Sequence, residues 1–218
     1  MTIDRKAISE VLDLMKTTTV VAVTKTVGSA TIRELATLGI TDVGENRAID
    51  LLSKKAGLCD LPLVWHFIGT LQSNKVKRVI NEIDWLHSLD RESLAIEIQK
   101  HRQTKLNCFV EVHLTDEPTK AGLLPELVVE FCQNMVKYDK IVIVGLMGMA
   151  PLNADEGLIR DCFLTLAKLR DQVRDLGLPH APCKFLSMGM TNDYKIALAC
   201  GATHLRLGRI LYCSKARD

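Results

Sequence analysis

Short runs of β-branched and apolar residues alternate along this chain with stretches in which apolar residues return every three or four positions. Val20-Val21-Ala22-Val23, closing in Thr24-Lys25-Thr26, reads as a strand, and Ile32, Leu35, Ala36 and Leu38 form one helix face behind it, ended by Gly39. The same switch returns at Asp42 to Glu45 with a helix to about Ala56, and at Trp65 to Gly69 with a helix through Val76, Val79 and Ile80. Trp85 to Leu89 opens a fourth unit, whose helix starts near Asp90 and carries Leu94, Ile96 and Ile98. Cys108 to Val112 precedes a helix over Leu124 to Met135, and Ile141 to Leu146 precedes a long one over about Glu156 to Leu176, stopped by Gly177 and Pro179. Lys184 to Ser187 with a helix over Tyr194 to Cys200, then His204 to Leu207, complete the series.

Eight strands, seven intervening helices and an amphipathic N-terminal segment bearing Ile3, Ile8, Val11, Leu12 and Met15 predict an α/β fold, a single (β/α)8 TIM barrel. An open doubly wound sheet alternates in the same way, but eight units in one short chain favour closure. At 218 residues the chain approaches the typical size of about 250 for such a barrel. No linker or repeat marks a boundary, so residues 1–218 are expected to form one domain.

Composition narrows the class of function. A net charge of +2 with 25% charged residues does not suit a nucleic-acid binder, and Lys75, Lys77 and Arg78 on one helix lack interleaved aromatics, so a solvated face explains them. Apolar stretches such as Ile141 to Pro151 fall short of the ~20 residues a spanning helix needs, and Asp4, Arg5, Lys6 and Glu10 interrupt any leader-like run. A cytoplasmic protein without membrane contact is expected. The seven cysteines are odd in number and show no zinc spacing, which suits reduced, packed thiols, with Cys213 as a candidate for exposure.

In a barrel the chemistry gathers at the C-terminal ends of the strands. Those ends carry Lys25, Glu45 with Asn46, His66, His87 with Asp90, His113, Met147 with Met149, Ser187 to Met190, and Arg206 to Arg209. A lysine right after four apolar strand residues stands over the mouth, where partial desolvation would free its amine for Schiff-base formation; a solvated lysine ending a strand is the competing reading. Ser187-Met188-Gly189-Met190-Thr191 and Gly208-Arg209 fall after the seventh and eighth strands, where barrels often hold a phosphate, although turn chemistry with Thr191 or Asn192 as an N-cap would look the same. Arg206 lies on the opposite face from Leu205 and Leu207; facing inward it needs a buried partner, and Glu45 could serve. His66, His87 and His113 could in principle cluster on a metal, but lone histidines in apolar strands are more often hydrogen-bonded core residues.

Several of these strings together resemble the pyridoxal phosphate homeostasis protein (YggS/PROSC-like) family. They are Val21-Ala22-Val23-Thr24-Lys25, Gly44-Glu45-Asn46, Trp65 to Gly69 with Leu71-Gln72-Ser73-Asn74-Lys75, Gly145-Leu146-Met147, Leu186 to Asp193, and Gly201-Ala202-Thr203 through Gly208. The resemblance implies a barrel like the N-terminal domain of alanine racemase, fold type III among pyridoxal phosphate proteins, with Lys25 forming the aldimine to the cofactor. It implies Asn46 as a pocket residue, Ser187, Met188, Gly189, Thr191, Gly208 and Arg209 in the phosphate-binding loops, and Arg206 facing the pyridine nitrogen. Departures are a short N-terminal start, Ile210-Leu211-Tyr212-Cys213 where Ile-Phe-Gly is usual, and Lys120-Ala121-Gly122 where Lys-Ser-Gly is common.

The function so implied is binding pyridoxal phosphate and buffering or delivering it to recipient enzymes, without classical turnover, by a chain expected to be monomeric. A racemase-like enzyme is the alternative; it needs a second acid/base group, and among Tyr138, Tyr194 and Tyr212 none is obviously set at a strand end. A barrel binding some other phosphorylated metabolite, with Lys25 as a plain anion contact, is the third possibility.

Overall fold

The computed structural model describes residues 2–115 and 121–213; Lys120 and residues 214–218 lie outside them. Eight parallel strands follow the chain order around a closed barrel: β2 (Thr19–Val23), β3 (Asp42–Glu45), β4 (Val64–Phe67), β5 (Trp85–Leu89), β6 (Leu106–Val112), β7 (Ile141–Gly148), β8 (Phe185–Ser187) and β9 (His204–Leu207). Closure is made by β2 beside β9, in register from Thr19 opposite His204 to Ala22 opposite Leu207, which excludes the open-sheet alternative. A pair of two-residue strands, β1 (Thr2–Ile3) and β10 (Tyr212–Cys213), joins the two ends of the described chain antiparallel.

The outer layer is α1 (Arg5–Leu14), α2 (Ser29–Thr37), α3 (Ala48–Ala56), α4 (Ser73–Val79), α5 (Glu92–His101), α6 (Val128–Asn134), α7 (Glu156–Asp175) and α8 (Tyr194–Ala199). Asp4 caps α1 by accepting from the Lys6 and Ala7 amides, and Asp155 caps α7 through the Leu158 amide. The helix expected over Leu124 to Met135 is instead α6 with a 3-10 turn at each end, Pro125 standing first in the leading turn where its missing N–H costs nothing.

Two apolar regions hold the barrel together. One lies between strands and helices and takes in Ile32, Leu51, Phe67, Leu86, Ile98 and Phe163. The other fills part of the interior: Phe109, Val144 and Met147, with Trp85, Val142 and Phe185 packed against them. Alternation along each strand sends every second side chain inward, and in this barrel several of those are polar. His66, His87, Ser187, His204 and Arg206 are all buried.

Candidate functional site at the barrel mouth

A cavity of about 1020 Å³ opens at the C-terminal ends of the strands, at the upper end of the range for small-molecule sites. It is lined by Lys25 and Thr26 after β2, residues Met149 to Ala154 after β7, Met190 to Asp193 after β8, and Arg206, Gly208, Arg209 and Tyr212.

Lys25 is exposed, in a turn just beyond β2. The turn is pinned from beneath. Thr24 Oγ1 donates to Glu45 Oε1 at 2.5 Å, and Lys54 Nζ, from α3, donates to the same Oε1 at 2.6 Å and to the Thr24 carbonyl at 2.8 Å. Glu45 is therefore buried on the outer side of the wall against α3. The pairing of Glu45 with Arg206 expected from the sequence does not occur, because the two side chains leave the wall on opposite sides.

Arg206 points inward. Its Nη1 donates to Ser187 Oγ at 2.7 Å and its Nη2 to the Gly148 carbonyl at 3.1 Å, and among the described residues it makes no ion pair within 4 Å. Burial lowers its pKa to about 10, which leaves it a cation at neutral pH, with Glu111 and Asp193 the nearby charges that oppose the drop. Glu111, at the end of β6, has its own pKa raised to about 7, first by burial and then by Asp90, and its Oε2 has no hydrogen-bond partner.

Below the cavity the polar groups connect. Ser187 Oγ meets His87 Nδ1 at 2.9 Å, His87 Nε2 meets His66 Nδ1 at 2.9 Å, and His66 Nε2 meets Asp42 Oδ1 at 2.9 Å. Burial, helped by His66 and Arg206, holds the His87 pKa far below the usual imidazole range, and burial takes His204 down to about 3. His66 and His87 thus sit inside the barrel and bond each other, while His113 stands apart at the end of β6. No three His, Cys, Asp or Glu side chains among the described residues are grouped to hold a metal ion.

Of the residues singled out from the sequence, Lys25, Met149, Met190, Thr191, Arg206, Gly208 and Arg209 share this cavity, and Arg209 Nη2 reaches Asn192 Oδ1 at 3.3 Å to join the loops after β8 and β9. Asn46, Ser187, Met188 and Gly189 do not line it. Asn46 is half-buried with its backbone packed on Gly69, where a Cβ would come within 2.5 Å of the Asn46 carbonyl. Met188 is a core residue. Gly189 has φ +90°, and a Cβ there would lie 2.6 Å from Ala197 Cβ, so glycine serves the packing of this loop on α8. The Ser187 hydroxyl is committed to His87 and Arg206 and would have to leave one of them to reach a ligand in the cavity. The residue before α8 is Asp193, whose Oδ1 accepts from the Met190 amide at 2.5 Å; neither Thr191 nor Asn192 is the cap.

Sequence reasoning reached Met149 but missed the rest of the loop after β7, and Tyr212. Tyr212 was passed over because it follows the last barrel strand by five residues; a 3-10 turn, Arg209–Leu211, returns it to the mouth, where its hydroxyl donates to the Val23 carbonyl at 3.2 Å. Burial, with Glu45 adding to it, raises its pKa. Tyr138 and Tyr194 bond to Glu92 and Glu10 instead. Cys108, Cys132, Cys162, Cys183 and Cys200 are buried thiols, Cys59 is exposed, and the Cys213 side chain lies outside what is described.

A closed barrel with a lysine turn and a buried arginine at one mouth defines a class, that of the alanine racemase N-terminal domain, whose family model matches residues 3–216. Within it, the chain is 40% identical over 195 residues to the pyridoxal phosphate homeostasis protein of Aquifex aeolicus, covering 86% of this chain and 83% of that one. The counterpart in Pseudomonas aeruginosa is 36% identical over 200 residues, covering 90% and 84%. The chain belongs to the pyridoxal phosphate homeostasis protein family. The structure of PipY from Synechococcus elongatus PCC7942 with pyridoxal phosphate bound superposes with a TM-score of 0.85 at 30% identity, over 95% of this chain and all of that one. An alanine racemase of Clostridium difficile shares the fold at a TM-score of 0.78 but only 13% identity, this chain spanning 59% of its length. No helix among the described residues is long and apolar enough to cross a membrane.

Proposed function

We propose that this chain binds pyridoxal 5′-phosphate at the barrel mouth and buffers it or delivers it to recipient enzymes. Lys25 is assigned to the aldehyde end, Arg206 to the ring nitrogen, and Thr191, Gly208 and Arg209 to the phosphate. The observation that carries the reading is the convergence on one cavity of an exposed primary amine, a buried unpaired cation and two loops tied together by Arg209 and Asn192. The donor set fits the cofactor. Lys25, Arg206 and Arg209 face the cavity against Glu156 and Asp193, and Asp193 is turned toward the Met190 amide, so the wall favours an anion.

When bound, pyridoxal phosphate supplies an aldehyde that captures amines and a ring that can accept electrons. This chain's residues favour holding over turnover. Arg206 stays charged and would donate to the ring nitrogen, which would disfavour protonation there and leave the ring a poor electron sink. Lys25 stands in water, where its amine is free to exchange. Asn46 and Ser187 support the site from behind, Ser187 through its bond to Arg206. The unit so proposed is a single-domain, monomeric carrier.

An amino-acid racemase is the second reading, favoured by Tyr212 on the same cavity as Lys25. Its hydroxyl is bonded to Val23 and its raised pKa makes it a weak acid, so the opposite face of a substrate lacks a ready proton donor. Two measurements decide. Titration of the protein with pyridoxal phosphate should produce a visible absorption band that Lys25→Ala abolishes; a band of equal strength in the variant removes Lys25 from the site. Incubating loaded protein with L-amino acids in deuterium oxide should give no D-enantiomer at the ~10 s⁻¹ typical of enzymes, and racemisation at that rate would establish the second reading instead.

A further inference from the structure

The residues behind Arg206 form a chain whose direction can be worked out atom by atom. An arginine only donates, so Ser187 Oγ is the acceptor at 2.7 Å. Among the described residues the hydroxyl proton of Ser187 then has one acceptor within reach, His87 Nδ1 at 2.9 Å. His87 must in turn carry its proton on Nε2 and donate to His66 Nδ1, which places the His66 proton on Nε2, facing the Asp42 carboxylate at 2.9 Å. Each donor finds an acceptor with both imidazoles neutral. The reverse arrangement leaves the Ser187 proton without an acceptor among the described residues and needs a charged His66 in the barrel interior, where its side chain has no exposure.

We infer that His87 and His66 are positioning residues for Arg206, holding it through a one-way chain of hydrogen bonds that runs Arg206, Ser187, His87, His66, Asp42 across the barrel interior. The chain starts at the mouth cavity and ends on Asp42, at the N-terminal end of β3, which lines a second, smaller cavity of about 430 Å³ with Thr18, Thr19, Thr203 and His204. It does not conduct protons. Transfer from the mouth would require Arg206 to give one up, and it stays charged at neutral pH, so the device is static: it fixes which lone pair Ser187 offers and thereby where the guanidinium points.

The inference rests on the pyridoxal phosphate reading for its effect on binding, but the chain itself can be tested without the cofactor. Nitrogen-15 NMR of the imidazoles in cofactor-free protein at pH 7 should find His66 and His87 both neutral and protonated on Nε2. A charged ring, or an Nδ1–H tautomer at either, overturns the direction. Titration with pyridoxal phosphate then tests positioning. His87→Leu should weaken binding about tenfold, the factor that corresponds to 1.4 kcal/mol, and shift the bound absorption maximum, whereas His87→Asn keeps an acceptor for Ser187 and should bind within about threefold of the parent. Equal affinity and an unshifted spectrum in His87→Leu would overturn the positioning role. If the parent protein binds no pyridoxal phosphate, the functional proposal fails while the tautomers still decide the chain; if the leucine variant does not fold, they decide it alone.

Discussion

Glu45 and Arg206 are two buried ions on the two strands that flank β2, and they solve burial in opposite ways. Glu45, on the outer side of the wall, has its counterion Lys54 and the Thr24 hydroxyl together on one carboxylate oxygen. Arg206, on the inner side, is bonded to a hydroxyl and a carbonyl and faces the cavity as an unneutralised cation. A buried charge with its counterion in place serves the fold, here by pinning the turn that presents Lys25; one held by neutral acceptors at a cavity keeps donors to offer to a ligand.

Acid should attack the inner side first. Above the unfolded imidazole pKa of about 6.5 His87 and His204 cost nothing, being neutral in both states. Below it the unfolded chain takes up protons that the barrel refuses until far lower pH, near 3 for His204, so stability is lost as pH falls, by about 1.4 kcal/mol per unit for each ring. Over the two units from 6.5 to 4.5 His204 accounts for about 2–3 kcal/mol, and His87 adds to it in the same direction. Urea unfolding at stepped pH should show this decline and His204→Phe should make it shallower; a flat profile over that span would show that the interior imidazoles are not held neutral.

Removing one member of the outer pair should cost nearly as much. Lys54→Met leaves Glu45 buried without its cation, and a loss of about 3–5 kcal/mol is expected, most of it recovered in Lys54→Met with Glu45→Gln. If the double variant is no better than the single one, Lys54 acts through packing and the contrast with Arg206 fails. Arg206→Met should cost folding no more than about 2 kcal/mol, for the Ser187 and Gly148 groups left short of a donor, yet weaken pyridoxal phosphate binding at least tenfold. Equal losses in folding and binding would erase the distinction between the two ions.

The eight barrel strands were legible because each is a compact apolar run, bounded by turn residues, in an unbroken alternation with helical periodicity. The side to which Glu45 points was not. β3 is only Asp42-Val43-Gly44-Glu45, and Gly44 has no side chain to mark a face, so parity could not be read and Arg206 was given the wrong partner. The two-residue strands β1 and β10 have no period at all, and without them Tyr212 had no reason to return to the mouth. That His66 and His87 bond each other could not be read because they are 21 positions apart in the chain; only the parallel register of β4 and β5 brings their rings together. Ser187, Met188 and Gly189 belong to the right segment, but the tight packing of Gly189 on α8 sends them into the core, a consequence of tertiary contact that no local pattern announces.

The smallest expected effect on folding accompanies the largest on function. Lys25 is exposed, so Lys25→Ala should change stability by no more than about 0.5 kcal/mol. The direct test of the account is to load the native protein with pyridoxal phosphate, reduce it with borohydride and locate the pyridoxyl group by peptide mass spectrometry. The account predicts the label on Lys25, and its loss in a folded Lys25→Ala variant. Label found mainly on Lys54, Lys75 or Lys120 in the native protein would contradict it.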